Sequence, residues 1–305
     1  MNLREFAWLL LLAGLWGPSF LFIKLAIHEV PPVTVAALRV SLATLPLFLL
    51  LKWQGKKLPR DRQIWKHFFV VGLFNHAIPF TMFNWGELFV DSALAAILNG
   101  TTPLFTIFFA HWLTGDDRLS RRKLAGSLVG FLGLAVIVGP ALFAGASGSG
   151  MGIIAVTLPA VCYGFSIVYM RNHLRGLPAL VGPTAQLLAA SVIMIPVALL
   201  FDDPVGLPLP GGPAIAAILA LAFLGTSLAF IVFYRLMETV QASSLSMVTY
   251  LVPLFGVALG VAILGERIDW NAYLGCALIL VGIMIVNGVL RRPRGGFSSG
   301  FRRAG

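Results

Sequence analysis

The sequence is organised into ten apolar runs, each about as long as a helix that crosses a lipid bilayer. A hydrocarbon core of about 30 Å requires about 20 apolar residues at the helical rise of about 1.5 Å per residue. None of the runs shows the period-two alternation of a membrane β-strand. The predicted fold class is therefore all-α integral membrane with ten transmembrane helices. The runs lie at 6–27, 33–51, 67–86, 91–113, 122–140, 150–171, 179–201, 213–235, 241–264 and 270–290.

The composition excludes several classes of protein. Hydrophobic residues make up 58% of the 305 residues and charged residues 11%, with a mean hydropathy of +0.91. A soluble globule could not bury so much apolar surface and keep enough charge outside. A soluble enzyme, a disordered chain and a disulfide scaffold are therefore excluded, and Cys162 and Cys276 are interpreted as small buried residues of apolar runs. The first run is longer than a signal sequence and is predicted to be a membrane helix.

Basic residues are distributed unequally between the two sides of the predicted bundle. With ten spans both termini lie on one side, and 19 of the 22 Lys and Arg residues fall there. The positive-inside rule then predicts that both termini of this multi-pass protein are cytoplasmic. The expected location is the inner membrane of a bacterial cell. This topology accounts for the sequence pI of about 10.2. No nucleic-acid partner is expected, and the basic tail is expected to lie beside anionic lipid.

The two halves of the sequence resemble each other at an offset of 147 to 150 residues. WGPSFLFIK at 16–24 aligns with YGFSIVYMR at 163–171, and TTPLF at 101–105 aligns with LVPLF at 251–255. A repeat of this size indicates duplicated units. The predicted domains are a first five-helix repeat, a second five-helix repeat and a basic cytoplasmic tail, at 1–145, 146–290 and 291–305.

An odd number of helices in each repeat means that the second repeat inserts upside down. The charges agree, because GDDRLSRRK at 115–123 is strongly basic and its counterpart GERID at 265–269 is not. Inverted repeats around a midplane site are the architecture of many secondary transporters, which alternate access between the two sides. The sequence therefore predicts a transporter. A membrane sensor or scaffold is the alternative class.

The second half carries a specific family resemblance. The segment 224–286, with LGTSLAF, YLVPLFG and GERID before a glycine-rich last helix, is similar to the second repeat of the EamA family. LWGPSFLFIKLA at 15–26 resembles the start of its first repeat. The resemblance implies a member of the drug/metabolite transporter superfamily, and overall likeness is greatest to YddG-type exporters of aromatic and other neutral amino acids. It implies small-molecule substrates, and a monomer or homodimer in the lipid bilayer.

Motifs for other chemistry do not occur in the sequence. It contains no G-x-x-x-x-G-K-[ST] phosphate loop, no H-E-x-x-H, no G-x-S-x-G and no Cys/His metal cluster. We therefore expect neither an enzyme nor an ATP-driven pump, and no cofactor or metal. Glycine patterns at Gly126/Gly130 and Gly256/Gly260 allow close helix approach, either within one chain or in a dimer.

Titratable residues bear on whether transport is coupled to protons. All acidic residues are predicted at helix ends or in loops, whereas proton-coupled carriers usually place a titratable group inside the membrane. His76 is the one candidate near the middle of a span. It either carries a proton or hydrogen-bonds a neighbouring helix. Downhill transport is the favoured expectation.

Polar and aromatic side chains inside the apolar runs are the candidate substrate-binding residues, because a polar side chain facing lipid is unfavourable. A neutral amino acid requires donors for its carboxylate, carbonyls or an aromatic face for its ammonium group, and an apolar wall for its side chain. Packing or contact with lipid is the alternative role for each aromatic residue. The candidates are Trp16, Ser19, Asn75, His76, Asn84, Trp85, Asn99, Thr101, Thr102, Tyr163, Ser166, Gln186, Thr226, Ser244, Thr249 and Tyr250.

Two prolines occupy equivalent positions in the two repeats. Pro103 and Pro253 each lack a backbone donor, which frees the carbonyls of Asn99 and Thr249. We expect these prolines to be hinges that line a cavity. The alternative is a packing kink whose carbonyl is satisfied by a neighbouring Thr or Asn.

Two basic residues, Lys24 and Arg39, lie inside predicted helices towards their extracytoplasmic ends. They either extend to the interface or line the exit path. Arg39 lies six residues into its helix and could guide an anionic group or pair with Glu87 or Asp91. The leading hypothesis is a downhill exporter of neutral, especially aromatic, amino acids. The alternative keeps the fold with another metabolite or a drug as cargo and allows proton coupling.

Overall fold

The computed structural model describes residues 3–113, 120–143, 148–178, 180–239 and 248–287, and these residues form ten helical segments and no β-strand. The prediction of an all-helical protein with ten helices is confirmed. The segments are α1 (Leu3–Trp16 with Ser19–Ile27), α2 (Pro32–Trp53), α3 (Arg62–Gly72, Leu73–Ala77 and Ile78–Gly86), α4 (Ser92–Asn99 with Thr102–Leu113), α5 (Arg121–Phe143), α6 (Gly148–His173), α7 (Val181–Phe201), α8 (Gly212–Ala222, Phe223–Leu228 and Ala229–Thr239), α9 (Val248–Leu264) and α10 (Trp270–Asn287).

Six of these segments are long and apolar enough to cross a membrane, namely α1, α2, α4, α6, α7 and α8. Shorter apolar stretches lie in α9 and α10, at Leu251–Leu264 and Trp270–Val286. Large apolar side chains such as Leu49 and Leu200 are exposed on the outside, at 66% and 80%. An apolar exterior of this kind fits a lipid environment rather than water. The protein is a multi-pass membrane protein.

Local sequence explains where several helices begin and end. Asp61 caps α3, where its Oδ1 accepts a hydrogen bond from the Gln63 amide at 2.8 Å. Pro32 occupies the first turn of α2, where the missing amide hydrogen is not needed. Gly55 and Gly265 follow the ends of α2 and α9 with φ of +66°, a conformation that glycine adopts without strain.

A π-helical segment interrupts α3 and α8 at equivalent positions of the two repeats, Leu73–Ala77 and Phe223–Leu228. In α3, Pro79 follows the wide turn and cannot donate to the ordinary helical acceptor. In α8 the equivalent residue is Ala229, and the hydroxyls of Thr226 and Ser227 donate to carbonyls five residues back, at 2.8 and 3.0 Å. Different local chemistry thus accompanies the same widened turn in each repeat.

Close contacts between the repeats also recur at equivalent positions. Gly17 of α1 packs on Phe255 of α9, and Gly164 of α6 packs on Phe105 of α4. A Cβ atom on Gly164 would lie 2.8 Å from the Cβ atom of Phe105. The missing glycine side chain therefore allows each crossing. The offset read from the sequence thus also relates contacts in the fold.

The helices α5 and α10 pack against each other through glycines. A Cβ atom on Gly126 would lie 2.5 Å from the carbonyl oxygen of Gly282, and one on Gly133 would lie 2.6 Å from that of Gly275. In the other predicted pattern, Gly256 packs on Ala96 of α4. These glycines therefore serve contacts within one chain.

Carboxylates cap helix N-termini at one end of the bundle, which we call the capped end and define by Glu29, Asp202 and Glu266. Asp202 Oδ2 accepts from the amide and hydroxyl of Thr34 in α2, at 2.7 and 2.9 Å. Glu266 accepts from the Ser92 and Ala93 amides in α4, at 2.9 Å each. Glu29 accepts from the Gly211 amide before α8. Each cap joins one repeat to the other and adds a favourable charge at a helix N-terminus.

The packing of α5 against α10 predicts that Gly282→Ala lowers the free energy of unfolding by about 1–3 kcal/mol. The added Cβ atom would lie 2.5 Å from the Gly126 carbonyl oxygen and 2.6 Å from the Gly130 amide nitrogen, and neither backbone atom can move freely. Thermal unfolding in detergent measures the effect. Gly14→Ala is the matched control, because nothing lies within 4 Å of a Cβ atom there. Equal destabilisation by both variants would contradict the close approach.

The capped end predicts that Asp202→Ala destabilises the protein by about 1 kcal/mol, because the N-terminus of α2 loses its acceptor. The adjacent carboxylate provides the control. Asp203 is exposed and makes no capping bond, and asparagine tolerates its φ of +42°. We therefore expect Asp203→Asn to unfold at the wild-type temperature. The capping role is refuted if Asp202→Ala also unfolds at the wild-type temperature.

Candidate functional site

Arg39 of α2 lies inside the bundle rather than extending to its surface. Its side chain is 5% exposed. Its Nε donates to the Thr226 hydroxyl in the π-helical turn of α8, at 3.0 Å, and its guanidinium carbon lies 3.8 Å from the ring centroid of Phe80 in α3. The hydrogen bond thus goes to Thr226, although Glu87 and Tyr163 are electrostatic neighbours. The bond and the cation–π contact hold a cation between the two repeats.

A related arrangement occurs where α7 meets the π-helical turn of α3. His76 in that turn is fully buried, with Arg39 and Gln186 of α7 as electrostatic neighbours. Within the described residues, the Nδ1 of His76 and both amide atoms of Gln186 have no hydrogen-bond partner, whereas the Asn75 amide lies 3.4 Å from His76 Nε2. The second helix of each repeat therefore brings a polar side chain to the widened turn of the other repeat.

Aromatic rings surround these polar groups. The His76 ring lies edge-on to Phe80 and Phe230, with centroids 5.4 Å apart in each pair. Phe230 also contacts Trp16 of α1, at 6.5 Å. These edge-on contacts are favourable aromatic geometries. We call the assembly the interior cluster and define it as Trp16, Arg39, His76, Phe80, Tyr163, Gln186, Thr226 and Phe230.

Repeat symmetry extends to this aromatic wall. Trp16 packs against Phe233 at 5.6 Å between centroids, and its repeat counterpart Tyr163 packs against Phe83 at 6.4 Å. Ser19 lies nearby, beside Gly225 of the α8 turn, and its buried hydroxyl has no partner among the described residues. Side chains from α1, α2, α3, α6, α7 and α8 thus meet in one region between the two repeats. Transporters built from inverted repeats bind their substrates in a region between the repeats.

Other predicted site residues lie elsewhere or make local bonds. Asn84 donates to the Pro32 carbonyl at 2.8 Å, and Trp85 packs on Phe89 at 5.0 Å. Ser166 is fully buried, and its hydroxyl has no hydrogen-bond partner in the described ranges. Ser244 lies outside the described residues. Thr249 and Tyr250 belong to α9, but their side chains also lie outside the described part.

The two predicted proline hinges differ in geometry. At Pro103, α4 breaks across Gly100 and Thr101, and the freed Asn99 carbonyl accepts from the Thr102 hydroxyl at 2.8 Å. The Thr101 hydroxyl similarly donates to the Leu98 carbonyl at 2.6 Å. The two threonine hydroxyls thus provide hydrogen bonds to backbone carbonyls at the helix break.

At Pro253, by contrast, α9 runs without interruption from Val248 to Leu264. The two helices cross at this level, because a Cβ atom on Gly100 would lie 3.2 Å from the Cγ atom of Pro253. Glycine has a low helix propensity. Its presence at position 100, where the second repeat has Tyr250, fits a break in α4 alone.

The other basic residue inside the predicted helices, Lys24, is half-buried and makes structural hydrogen bonds. Its Nζ donates to the backbone carbonyls of Glu87 and Val90, at 2.6 and 2.9 Å. These carbonyls belong to the turn between α3 and α4, where helix-end carbonyls lack partners. The Glu87 side chain is fully buried beside them, and neither of its carboxylate oxygens accepts a hydrogen bond from the described residues.

Sequence reasoning missed Phe80 and Phe230 in the interior cluster. Both belong to an F-x-x-F pattern that recurs at the offset of the repeat, Phe80 with Phe83 and Phe230 with Phe233. A search of the alignment of the two halves for shared aromatic residues would have found them. Within the described ranges, no three His, Cys, Asp or Glu side chains lie together as metal ligands do.

Comparison with known sequences and structures identifies the family. The sequence profile of the EamA-like transporter family matches residues 4–139 and 150–288. The chain belongs to this family. The two matches show two EamA repeats, and the family is one of transporters rather than enzymes.

Relatives of similar length match this chain over most of its sequence. The uncharacterized transporter YoaV of Bacillus subtilis is 26% identical over 89% of this chain and 92% of its own. The uncharacterized inner membrane transporter YedA of Escherichia coli K12 is 27% identical over 89% and 87%. A crystal structure of a protein 23% identical in sequence has the same fold, with a TM-score of 0.66 over 95% of this chain and 98% of that one. None of these is named a YddG-type exporter.

The contact between Arg39 and Thr226 predicts the effect of removing one hydroxyl. We expect Thr226→Val to lower the free energy of unfolding by about 1–3 kcal/mol, because a buried charged donor loses its acceptor. Thermal unfolding in detergent measures this. The control is Thr184→Val, since Thr184 is equally buried but its hydroxyl bonds only Leu180 of its own helix. A loss no larger than in the control would argue against the interhelical bond.

Proposed function

We propose that this protein is a carrier that exports neutral, especially aromatic, amino acids and similar small metabolites by alternating access. The observation that carries the proposal is the interior cluster. It combines an aromatic wall with neutral polar groups, His76, Gln186 and Thr226, and these groups come from both repeats. A zwitterion requires donors for its carboxylate and an aromatic or carbonyl surface for its ammonium group.

The same proposal includes the topology. The two repeats, at 1–145 and 146–290, are inverted relative to each other, and 291–305 is a basic cytoplasmic tail. Both termini lie in the cytoplasm of a bacterial cell, so the capped end faces outward. The recurrence of interhelical contacts at the repeat offset supports this arrangement. The protein acts as a monomer or a homodimer.

Transport in this proposal is downhill and needs no proton gradient. Export of a metabolite that has accumulated in the cell is driven by its own gradient. One observation favours an alternative in which the same fold moves another metabolite or a drug with a proton. His76 is fully buried inside the cluster, and its Nδ1 has no hydrogen-bond partner in the part of the chain that the structure describes. An imidazole in that position has the chemistry of a proton carrier.

Counterflow in proteoliposomes tests the proposal. We expect vesicles loaded with unlabelled amino acids to accumulate labelled Phe, Trp, Met or Thr without an imposed pH gradient. Phe230→Ala should reduce aromatic exchange by about tenfold, because the aromatic wall loses a ring. Protein-free vesicles and Phe48→Ala provide the controls, since the Phe48 ring lies under Lys52 near the end of α2, away from the cluster.

Two results would contradict parts of the proposal separately. Exchange that appears only with a pH gradient, and is lost in His76→Gln, would favour the proton-coupled alternative. No exchange of any amino acid under either condition would reject amino acids as cargo. The family and the fold would be unaffected by that result.

A further inference from the structure

Arg39 has unused hydrogen-bonding capacity inside the protein. Its guanidinium group offers five N–H donors, and its one hydrogen bond to the described part of the chain is from Nε to Thr226. Neither Nη nitrogen has a partner there. The side chain is nevertheless 5% exposed and is fixed by the contact with Phe80. The free edge of the guanidinium group is therefore both positioned and unsatisfied.

An unsatisfied cation in an apolar interior strongly favours an anionic partner. The Coulomb attraction between opposite charges rises as the surroundings exclude water. No side-chain carboxylate forms an ion pair with Arg39 in the described residues, although the Glu87 carboxylate attracts it electrostatically at longer range. A mobile anion that enters the cluster would meet this requirement.

The geometry favours a carboxylate over a phosphate. Two parallel N–H groups of one arginine match the two oxygens of a carboxylate, which binds in a bidentate manner. A phosphate dianion would require further positive charge. The Nζ of Lys24, the other basic residue inside the predicted helices, already donates to two backbone carbonyls. A single free guanidinium group therefore suits a monoanion.

The neighbours of Arg39 describe the rest of the ligand. Phe80 lies under the guanidinium group, and the His76 ring contacts both Phe80 and Phe230. Trp16 also contacts Phe230 and extends this aromatic wall. A carboxylate bound at Arg39 would thus place an attached ring among aromatic side chains.

We propose that Arg39 is the specificity-determining residue that anchors the carboxylate of the transported molecule, so that the site selects small aromatic monocarboxylates. The inference rests on the proposed function in one respect, which is that the interior cluster is the substrate site. It goes further because it assigns the guanidinium group of Arg39 as the binding partner of the ligand carboxylate. An arginine with a purely structural role would stabilise the fold without discriminating between ligands.

A double-mutant cycle between protein and ligand tests this assignment. Binding of phenylalanine and of phenylalaninamide is measured by titration calorimetry on wild type, Arg39→Gln and Arg39→Lys. The two ligands share the ring and the ammonium group, and only one has a carboxylate. We expect wild type to prefer phenylalanine by about tenfold or more, Arg39→Gln to lose this preference, and Arg39→Lys to retain part of it.

The control is Lys52→Gln, which removes one positive charge from the exposed end of the same helix. It should bind both ligands as wild type does. The wild-type comparison needs no substitution, so the proposal can be tested even if Arg39→Gln does not fold. Equal wild-type affinity for the two ligands would overturn it, as would an unchanged preference in a folded Arg39→Gln protein.

A second ligand pair separates this inference from the proposed function. Indole-3-acetate and indole-3-acetamide lack the amino group altogether. If no amino acid binds or is exchanged, but indole-3-acetate binds in an Arg39-dependent manner, carboxylate binding by Arg39 is supported and amino-acid transport is rejected. If amino acids are exchanged without any Arg39-dependent preference for a carboxylate, amino-acid transport is supported and carboxylate binding by Arg39 is rejected. Arg39-independent binding of both acids and amides rejects the anchor.

Discussion

A polar group inside a bilayer must find its partner within the protein, and this requirement organises the centre of this bundle. The surrounding lipid offers no hydrogen bonds, so each buried donor, acceptor or charge draws a neighbouring helix towards it. Arg39 is the clearest case, since its partners Thr226 and Phe80 belong to α8 and α3. One side chain of α2 therefore links both repeats. The interior cluster is assembled around that link.

The backbone is subject to the same requirement. The π-helical turns in α3 and α8 change the ordinary hydrogen-bond ladder where the two repeats meet. In α8 the hydroxyls of Thr226 and Ser227 bond the carbonyls five residues back, and both also contact α2, at Arg39 and at the Ala43 carbonyl. Because Thr226 and Ser227 bond both their own helix and α2, they hold the two helices in a fixed relative position. The widened turn is thus part of the candidate site rather than a defect beside it.

The sequence predicted the spans and the repeat because hydrophobic length and an alignment of the two halves are properties of the chain alone. The helix breaks and the hydrogen-bond partners depend on contacts between parts of the chain that are distant in sequence. Gly100, rather than Pro103, separates the two parts of α4, and the equivalent Pro253 leaves α9 unbroken. Arg39 had Glu87 and Asp91 as expected partners, and the choice of Thr226 depends on how α2 crosses α8. Phe80 and Phe230 differ from the other phenylalanines only in an alignment of the two halves, where their F-x-x-F patterns coincide. The burial of Glu87 depends on the turn that Lys24 closes.

The capped end constrains how such a carrier can move. Its three carboxylate caps all cross between repeats, so an opening that separates the repeats there must break them. Each cap is worth about 1 kcal/mol, and together they oppose opening by a few kcal/mol. A bias of that size keeps the open state populated at roughly 0.1–10%, which a bound substrate can still shift. Apolar packing of a whole helix face at the same end would be far harder to reverse. In a carrier that alternates access, as we propose, short polar caps suit an end that must be closed most of the time and still open once in each transport cycle.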